Sequence, residues 1–138
     1  MLVKDVLKYN RIIKAIIDNT TDVNALVKFK LLGMLKQFEP TILNYETIRV
    51  EKINEYGKPS DDGDMGIFPP KKEDFDNDDE YKKAHKEFED TIKKFSDDLS
   101  EVEEAEADIE IKKFKYTDIM NAGLPADYLV AIFDLIEE

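Results

Sequence analysis

Two apolar stripes with helical spacing, separated by a break rich in Pro, Gly and Asp, constrain this chain more than any other feature. The first stripe consists of Leu31, Leu35, Phe38, Ile42, Tyr45, Ile48 and Tyr56. The second stripe consists of Tyr81, Phe88, Ile92, Phe95, Leu99 and Val102. Alternating steps of about four and three residues put each set on one face of a helix. Because a single loop joins the two faces, the sequence predicts an antiparallel helical hairpin.

The whole pattern predicts a mainly α fold with a minor β element: an N-terminal helix, the hairpin, a short β strand or ribbon and a C-terminal helix. Apolar spacing places the first helix at about 3–18. Thr21 or Asp22 is expected to cap the next helical segment, which extends from about 23 to 56. Within it, Pro40 either kinks one helix or separates two, and the β-branched residues 47–53 leave a short strand as an alternative.

The length of 138 residues predicts a single domain with one core. Its expected parts are the N-terminal helices in 1–56, a loop at 57–77, an acidic helix at 78–105, and a strand plus C-terminal helix in 108–138. Acids after Asn77 fit the start of the acidic helix. Alternation with a one-residue slip predicts a bulged strand at 108–116. Thr117-Asp118 is expected to cap a short turn, and Pro125 to open the last helix.

The loop at 57–77 contains one apolar island, in which Met65, Ile67 and Phe68 precede two prolines. Long loops inside compact domains are often functional. The island is therefore a short edge strand, a plug that packs on the hairpin tip, or a peptide that binds a partner. Packing on its own domain is the usual behaviour of Phe and Ile in a loop, and the three apolar side chains are also candidate partner-binding residues.

Acidic residues are concentrated in the second part of the chain. The net charge is −12, with ten basic against seven acidic residues in 1–58 and ten against twenty-five in 59–138. Such a field disfavours direct binding to nucleic acid, which needs a basic surface, and favours basic partners. Solubility is the simpler explanation of the acid. The candidate contact carboxylates on the acidic helix are Asp97, Asp98, Glu101 and Glu104.

No motif in the sequence predicts catalysis, a metal or a cofactor. The chain has no cysteine, and His85 is its only histidine, which excludes a multi-histidine site and favours a structural role. Asp74, Asp76 and Asp78 begin like a calcium-binding loop, but His85 occupies the position that requires a bidentate glutamate. Phosphate-binding loops and nucleophile elbows are absent from the sequence. We therefore predict a protein that is not an enzyme.

No apolar run approaches the roughly 20 residues that a bilayer span needs. The first helical segment also carries Asp5 and regularly spaced lysines, so it lacks the continuous apolar core of a signal peptide. The sequence therefore predicts a protein without membrane partners.

The order of features from about residue 30 onward resembles a small uncharacterised family of bacteriophage proteins, encoded among the tail and lysis genes of tailed phages. The matching features are Glu55-Tyr56-Gly57, Asp61-Asp62-Gly63, the acidic helix, the segment 109–114, Asp118 and the end Leu135-Ile136-Glu137-Glu138. The first thirty residues and 65–70 depart from that pattern. The resemblance implies a phage accessory protein located in the virion or the host cytoplasm.

Two classes of function are compatible with these observations. The first is a virion structural or assembly component that binds other phage proteins or its own copies. The second is an acidic inhibitor that mimics DNA and occupies the nucleic-acid site of a host enzyme. Five lysines lie among the acids of the predicted helix, Lys82, Lys83, Lys86, Lys93 and Lys94, and interrupt a phosphate-like row. The first class is therefore preferred.

Overall fold

The computed structural model describes residues 1–137 and is mainly α with short β elements, as predicted. Its helices are α1 Val3–Asn19, α2 Ala25–Tyr56, α3 Asp78–Glu103, α4 Tyr116–Met120 and α5 Ala126–Ala131. Its strands are β1 Lys58–Pro59, β2 Met65–Gly66, β3 Phe114–Lys115 and β4 Ile136–Glu137. Two 3₁₀ turns are formed by Lys72–Asp74 and Phe133–Leu135.

The chain divides into two compact units, although its length led us to expect one domain with one core. Unit 1 comprises Met1–Leu43 and Ala105–Glu138, and unit 2 is the continuous segment Asn44–Glu104. Nearly all buried apolar side chains belong to unit 1, whereas in the described part of unit 2 only Tyr45 and Leu99 are buried. Unit 2 therefore depends on a small core and on its hydrogen bonds.

Unit 1 is organised around α1, which the helical spacing predicted correctly. Val6, Ile13 and Ile16 lie on one face of this helix and are fully buried. The residues just before α1 pair with the segment that follows the acidic helix. Val3 N donates to the carbonyl of Ala105, and Ala107 N donates to the carbonyl of Met1, both at 2.9 Å. These two bonds fix the N-terminus of the described chain to a distant part of the sequence.

The strand predicted at 108–116 is mostly wrong. Only β3 is extended and paired, and it runs parallel to β4. Ile109 N donates to the carbonyl of Ala107 at 2.7 Å, so the backbone turns tightly at the point where a strand would begin. The alternating apolar residues Ile109 and Ile111 are half-buried here, but their segment pairs with no neighbouring strand in the described chain.

The C-terminal helix is shorter than predicted. Pro125 precedes α5, which has six residues and gives way to a 3₁₀ turn and then to β4. Helix α4 begins after Lys115, so Thr117 and Asp118 lie inside it and do not cap it. Gly123, with φ of 82°, ends this turn in a backbone conformation that favours glycine.

Helix α2 passes through Pro40 without a break, so Pro40 does not separate two helices and 47–53 is not a strand. Its cap is Asn24, whose side-chain oxygen accepts from Leu26 N at 2.9 Å; Thr21 and Asp22 were the wrong candidates. Asn24 is held in place because its own N–H donates to the carbonyl of Ala122 at 2.9 Å. That long-range bond could not be read from the local sequence.

The predicted hairpin is present in unit 2. Tyr45 of α2 donates to Glu103 of α3, and Tyr56 of α2 donates to Asp98 of α3. The partner number falls as the tyrosine number rises, which is the mark of antiparallel helices. The first stripe is divided, however, because its buried members Leu31 and Phe38 belong to unit 1 and its buried member Tyr45 belongs to unit 2. Ile92 of the second stripe is 38% exposed, so the expectation that it packs between the two helices of the hairpin was wrong.

Candidate functional site

The strongest candidate site is an open groove in unit 2, with a volume of about 440 Å³. One wall is the ribbon of β1 and β2 with the end of α2, and the other is the face of α3 that carries Ala84, Phe88 and Thr91. We call it the ribbon groove. Its lining residues are Tyr56, Gly57, Lys58, Pro59, Gly66, Ile67, Phe68, Pro70, Phe75, Ala84, Glu87, Phe88 and Thr91.

Two glycines permit close packing within the wall that the ribbon and the end of α2 form. A Cβ on Gly57 would lie 2.4 Å from the carbonyl oxygen of Ile53 and 2.7 Å from that of Gly66, so only glycine permits this backbone approach. A Cβ on Gly66 would lie 2.6 Å from the ring of Phe68. The Phe68 ring therefore folds over bare backbone, and this places it at the edge of the groove.

The apolar island combines two of the three alternatives left open by the sequence. Met65 belongs to β2, which pairs antiparallel with β1, and Ile67 is half-buried in the groove wall. Phe68 lines the groove but is 53% exposed, and Met65 is 40% exposed. The island thus packs on its own unit and still presents apolar surface to solvent.

A row of rings borders the groove on α3. The spacing of four and three residues places Tyr81, His85 and Phe88 on one side of the helix, and their successive ring centroids are 6.0 and 6.2 Å apart. Phe75 extends the row with an edge contact to Tyr81 at 5.9 Å. His85 Nδ1 also lies 3.2 Å from Glu89 Oε1, so the imidazole of the chain's one histidine contacts a carboxylate of its own helix.

The four candidate carboxylates do not lie on the groove. Asp97 follows Thr91, the last lining residue, by six positions, about 9 Å along the helix axis. Asp97, Glu101 and Glu104 are exposed. Asp98 accepts from the Tyr56 hydroxyl at 2.6 Å and lies 3.4 Å from Lys52 Nζ, and the hydrogen bond from Tyr56 lowers the pKa of Asp98. Asp98 is therefore a structural residue of the hairpin.

The base of the hairpin is closed by a second tyrosine–carboxylate bond. Tyr45 donates to Glu103 at 2.7 Å, and burial together with this bond raises the pKa of Tyr45 to about 12. Arg49 forms a forked contact with Glu46 one turn away, with N–O distances of 2.9 and 3.2 Å. The Arg49–Glu46 pair lies within α2, whereas the two tyrosine–carboxylate bonds join α2 to α3 and fix the register of the hairpin.

Sequence reasoning missed an exposed apolar face on the first part of α2, within unit 1. Leu26 is 57%, Phe29 74%, Leu32 48% and Leu43 65% exposed. We call these four residues the outer stripe. The signal is a second set of apolar residues on the same segment, on the side opposite to Leu31 and Phe38. Helices that are apolar on two faces are expected to be covered on both.

Other site types find no support in the part of the chain described here. Among residues 1–137 there is no cluster of three or more His, Cys, Asp or Glu side chains placed to hold a metal ion. The helices within that range include none long and apolar enough to cross a membrane. Comparison with protein-family models, curated proteins and solved structures gave no match.

Proposed function

We propose that this chain is a non-enzymatic accessory protein that binds another protein through the ribbon groove. The observation that carries the proposal is the exposed Phe68 ring at the edge of a groove of about 440 Å³ whose lining residues are mainly apolar and also include Lys58, Glu87 and Thr91. Exposed aromatic side chains beside a groove are typical anchors of protein interfaces.

Charge supports a partner with a basic contact surface. Unit 2 contains twenty acidic and ten basic residues, a net charge of −10. At about 0.15 M salt the screening length is roughly 8 Å, so these exposed carboxylates steer association while the apolar groove supplies the lasting contact. We infer that association slows as salt rises, whereas dissociation depends on Phe68 and Met65.

The setting we propose is a tailed phage, in which the chain is a structural or assembly component of the virion and binds other virion proteins. This part of the proposal comes from the resemblance in the order of sequence features described above. It places the chain in the particle or in the host cytoplasm during assembly.

Inhibition of a host nucleic-acid enzyme is the second candidate, favoured by the net charge of unit 2. Two observations weigh against a copied phosphate row. Five lysines are interspersed among the acids of α3. In addition, Asp98 and Glu103 accept hydrogen bonds from tyrosines of α2, so their carboxylates are engaged within the chain.

Complementation of a phage that lacks the gene tests both candidates. Plasmids would supply the original chain, Phe68→Ser, or Val130→Ser, a matched control at an apolar residue that is 76% exposed in unit 1. We expect mass spectrometry of purified particles to find the original and control chains, with Phe68→Ser reduced at least about tenfold, as loss of an interface anchor predicts. Circular dichroism would verify that each variant keeps its helices.

Two outcomes would contradict the virion proposal. Equal incorporation of Phe68→Ser and Val130→Ser would remove the groove from the interface. Absence of the original chain from particles, together with stoichiometric competition against DNA for a nuclease, would favour the inhibitor.

A further inference from the structure

The outer stripe lies on the side of α2 opposite to its buried face. At about 100° per residue, Val27, Leu31, Met34 and Phe38 share one face, and their exposures are between 0% and 4%. Leu26, Phe29, Leu32 and Leu43 project on the other side, with exposures between 48% and 74%. Leu26, Phe29 and Leu32 are neighbours on this side, and Leu43 lies 11 residues beyond Leu32, about 16.5 Å along the axis. Exposed apolar side chains grouped on one helix face mark an interaction surface.

The centre of this surface has the spacing of a helix–helix seam. Alternating steps of three and four residues connect six exposed positions, Leu26, Phe29, Gly33, Lys36, Pro40 and Leu43. This period is the one by which two helices pack along a common line. A helix is therefore a suitable partner for the seam.

We propose that the partner is a second copy of this chain, with the two α2 helices antiparallel about a twofold axis between residues 34 and 35. In that register Leu26 faces Leu43 of the second copy, and Phe29 faces Pro40. Gly33 faces Lys36, the largest central side chain, and a Cβ built on Gly33 meets no atom within 4 Å. Each pair occurs twice by symmetry, as in any isologous contact, and the longest central side chain is placed opposite a glycine.

Charge favours the antiparallel direction over the parallel one. Parallel helices would place Lys36 level with Lys36 in the seam, whereas the antiparallel register offsets the two lysines by three residues, about 4.5 Å along the axis. In the antiparallel register, Glu39 comes within two residues, about 3 Å along the axis, of Lys28 on the same side of the second copy. Both side chains are exposed, and the symmetry creates this pair twice. Oppositely charged side chains flanking a seam select its orientation.

The size of the surface predicts a weak and reversible dimer. The seam covers 18 residues, about 27 Å of helix, and a strip of that length and one helix diameter wide offers about 300 Å² per copy. Stable interfaces bury about 800 Å² per partner, so we expect dissociation in the micromolar range or above. Self-association at this face does not rest on the ribbon groove, and Phe68→Ser should leave it unchanged.

Cysteine cross-linking gives a direct test because the chain has no cysteine. We would prepare Leu26→Cys and Leu43→Cys separately, and oxidise each alone and the two mixed at equal concentration. Antiparallel pairing predicts disulfide dimers in the mixture at least about tenfold above either variant alone. A mixture of Leu26→Cys with Val130→Cys, an exposed control position, should give only the background level.

Sedimentation equilibrium provides the second measurement. The original chain should shift reversibly from monomer to dimer with concentration. Phe29→Ser should raise the dissociation constant at least about tenfold, while Val130→Ser should not. Cross-links in the single variants would overturn the antiparallel register. Mixed yields equal to the Val130 control, or a monomer at every concentration, would overturn self-association through this face.

Discussion

Removal of the Tyr45 hydroxyl measures how strongly the bond to Glu103 holds the hairpin of unit 2. Tyr45 is 8% exposed and donates to Glu103 Oε1 at 2.7 Å. Hydrogen bonds to charged groups contribute about 1.5–3 kcal/mol. Because Glu103 is only half-buried, the lower value applies. Tyr45→Phe should therefore reduce the free energy of unfolding of unit 2 by about 1.5 kcal/mol at pH 8.

The same bond should stop contributing to the free energy of unfolding at high pH. Burial, followed by the bond to Glu103, raises the pKa of Tyr45 from 10.0 to about 12. A group whose pKa is raised in the folded state stabilises the fold below its ordinary value and loses that effect as pH rises through the folded value. At pH 11, one unit above the ordinary pKa of tyrosine, the free energy of unfolding has lost about 1.4 kcal/mol through this titration. The two proteins should then be nearly equally stable.

Urea unfolding of both proteins at pH 8 and pH 11, followed by far-ultraviolet circular dichroism, gives this comparison. Effects of the other titrating groups are shared by the two proteins and cancel in the difference. Tyr116→Phe is the control, since Tyr116 is 55% exposed, and it should change stability little at either pH. A stability difference between Tyr45→Phe and the original chain that is unchanged from pH 8 to pH 11 would refute the reasoning.

Two further substitutions test the packing and the capping of α3. Within this fully described helix Leu99 is the one buried side chain, so Leu99→Ala should lower the free energy of unfolding by about 2–5 kcal/mol. Phe95→Ala, at a half-buried ring, should lower the urea midpoint less. The reverse order would contradict the assignment of Leu99 to the core of unit 2. Asn77 Oδ1 accepts from Glu80 N at 2.8 Å, so Asn77→Ala should cost about 1 kcal/mol while Asn77→Asp preserves stability, both measured by urea unfolding.

The sequence predicted those elements whose signals are local. Helix α1 and the start of α3 depend on spacing and on capping within a few residues, and Asn77 caps α3 where the acids indicated. The hairpin was also predictable, because both stripes carry helical spacing and one loop connects them. Their register depends on Tyr45 and Tyr56, whose partners are 58 and 42 residues away.

Long-range pairing explains what the sequence did not predict. Alternation at 108–116 is a local pattern, but a strand needs a neighbour, and β4 supplies one only to Phe114 and Lys115. The candidate site shows the same division. Apolar side chains at Met65 and Phe68 were identified, whereas the groove itself depends on backbone approach at Gly57 and on rings contributed by α3.

Unit 2 consists of one continuous segment of the chain. Unit 1 is assembled from two separate stretches, and unit 2 is one uninterrupted run inserted between them. The two ends of that run meet, since the Tyr45 hydroxyl lies 2.7 Å from Glu103. Segments whose ends are adjacent can be lengthened, exchanged or removed without rethreading the host. Helix α2 nevertheless continues across the boundary between Leu43 and Asn44, so any exchange of unit 2 would have to preserve the helical register of α2 on both sides of that boundary.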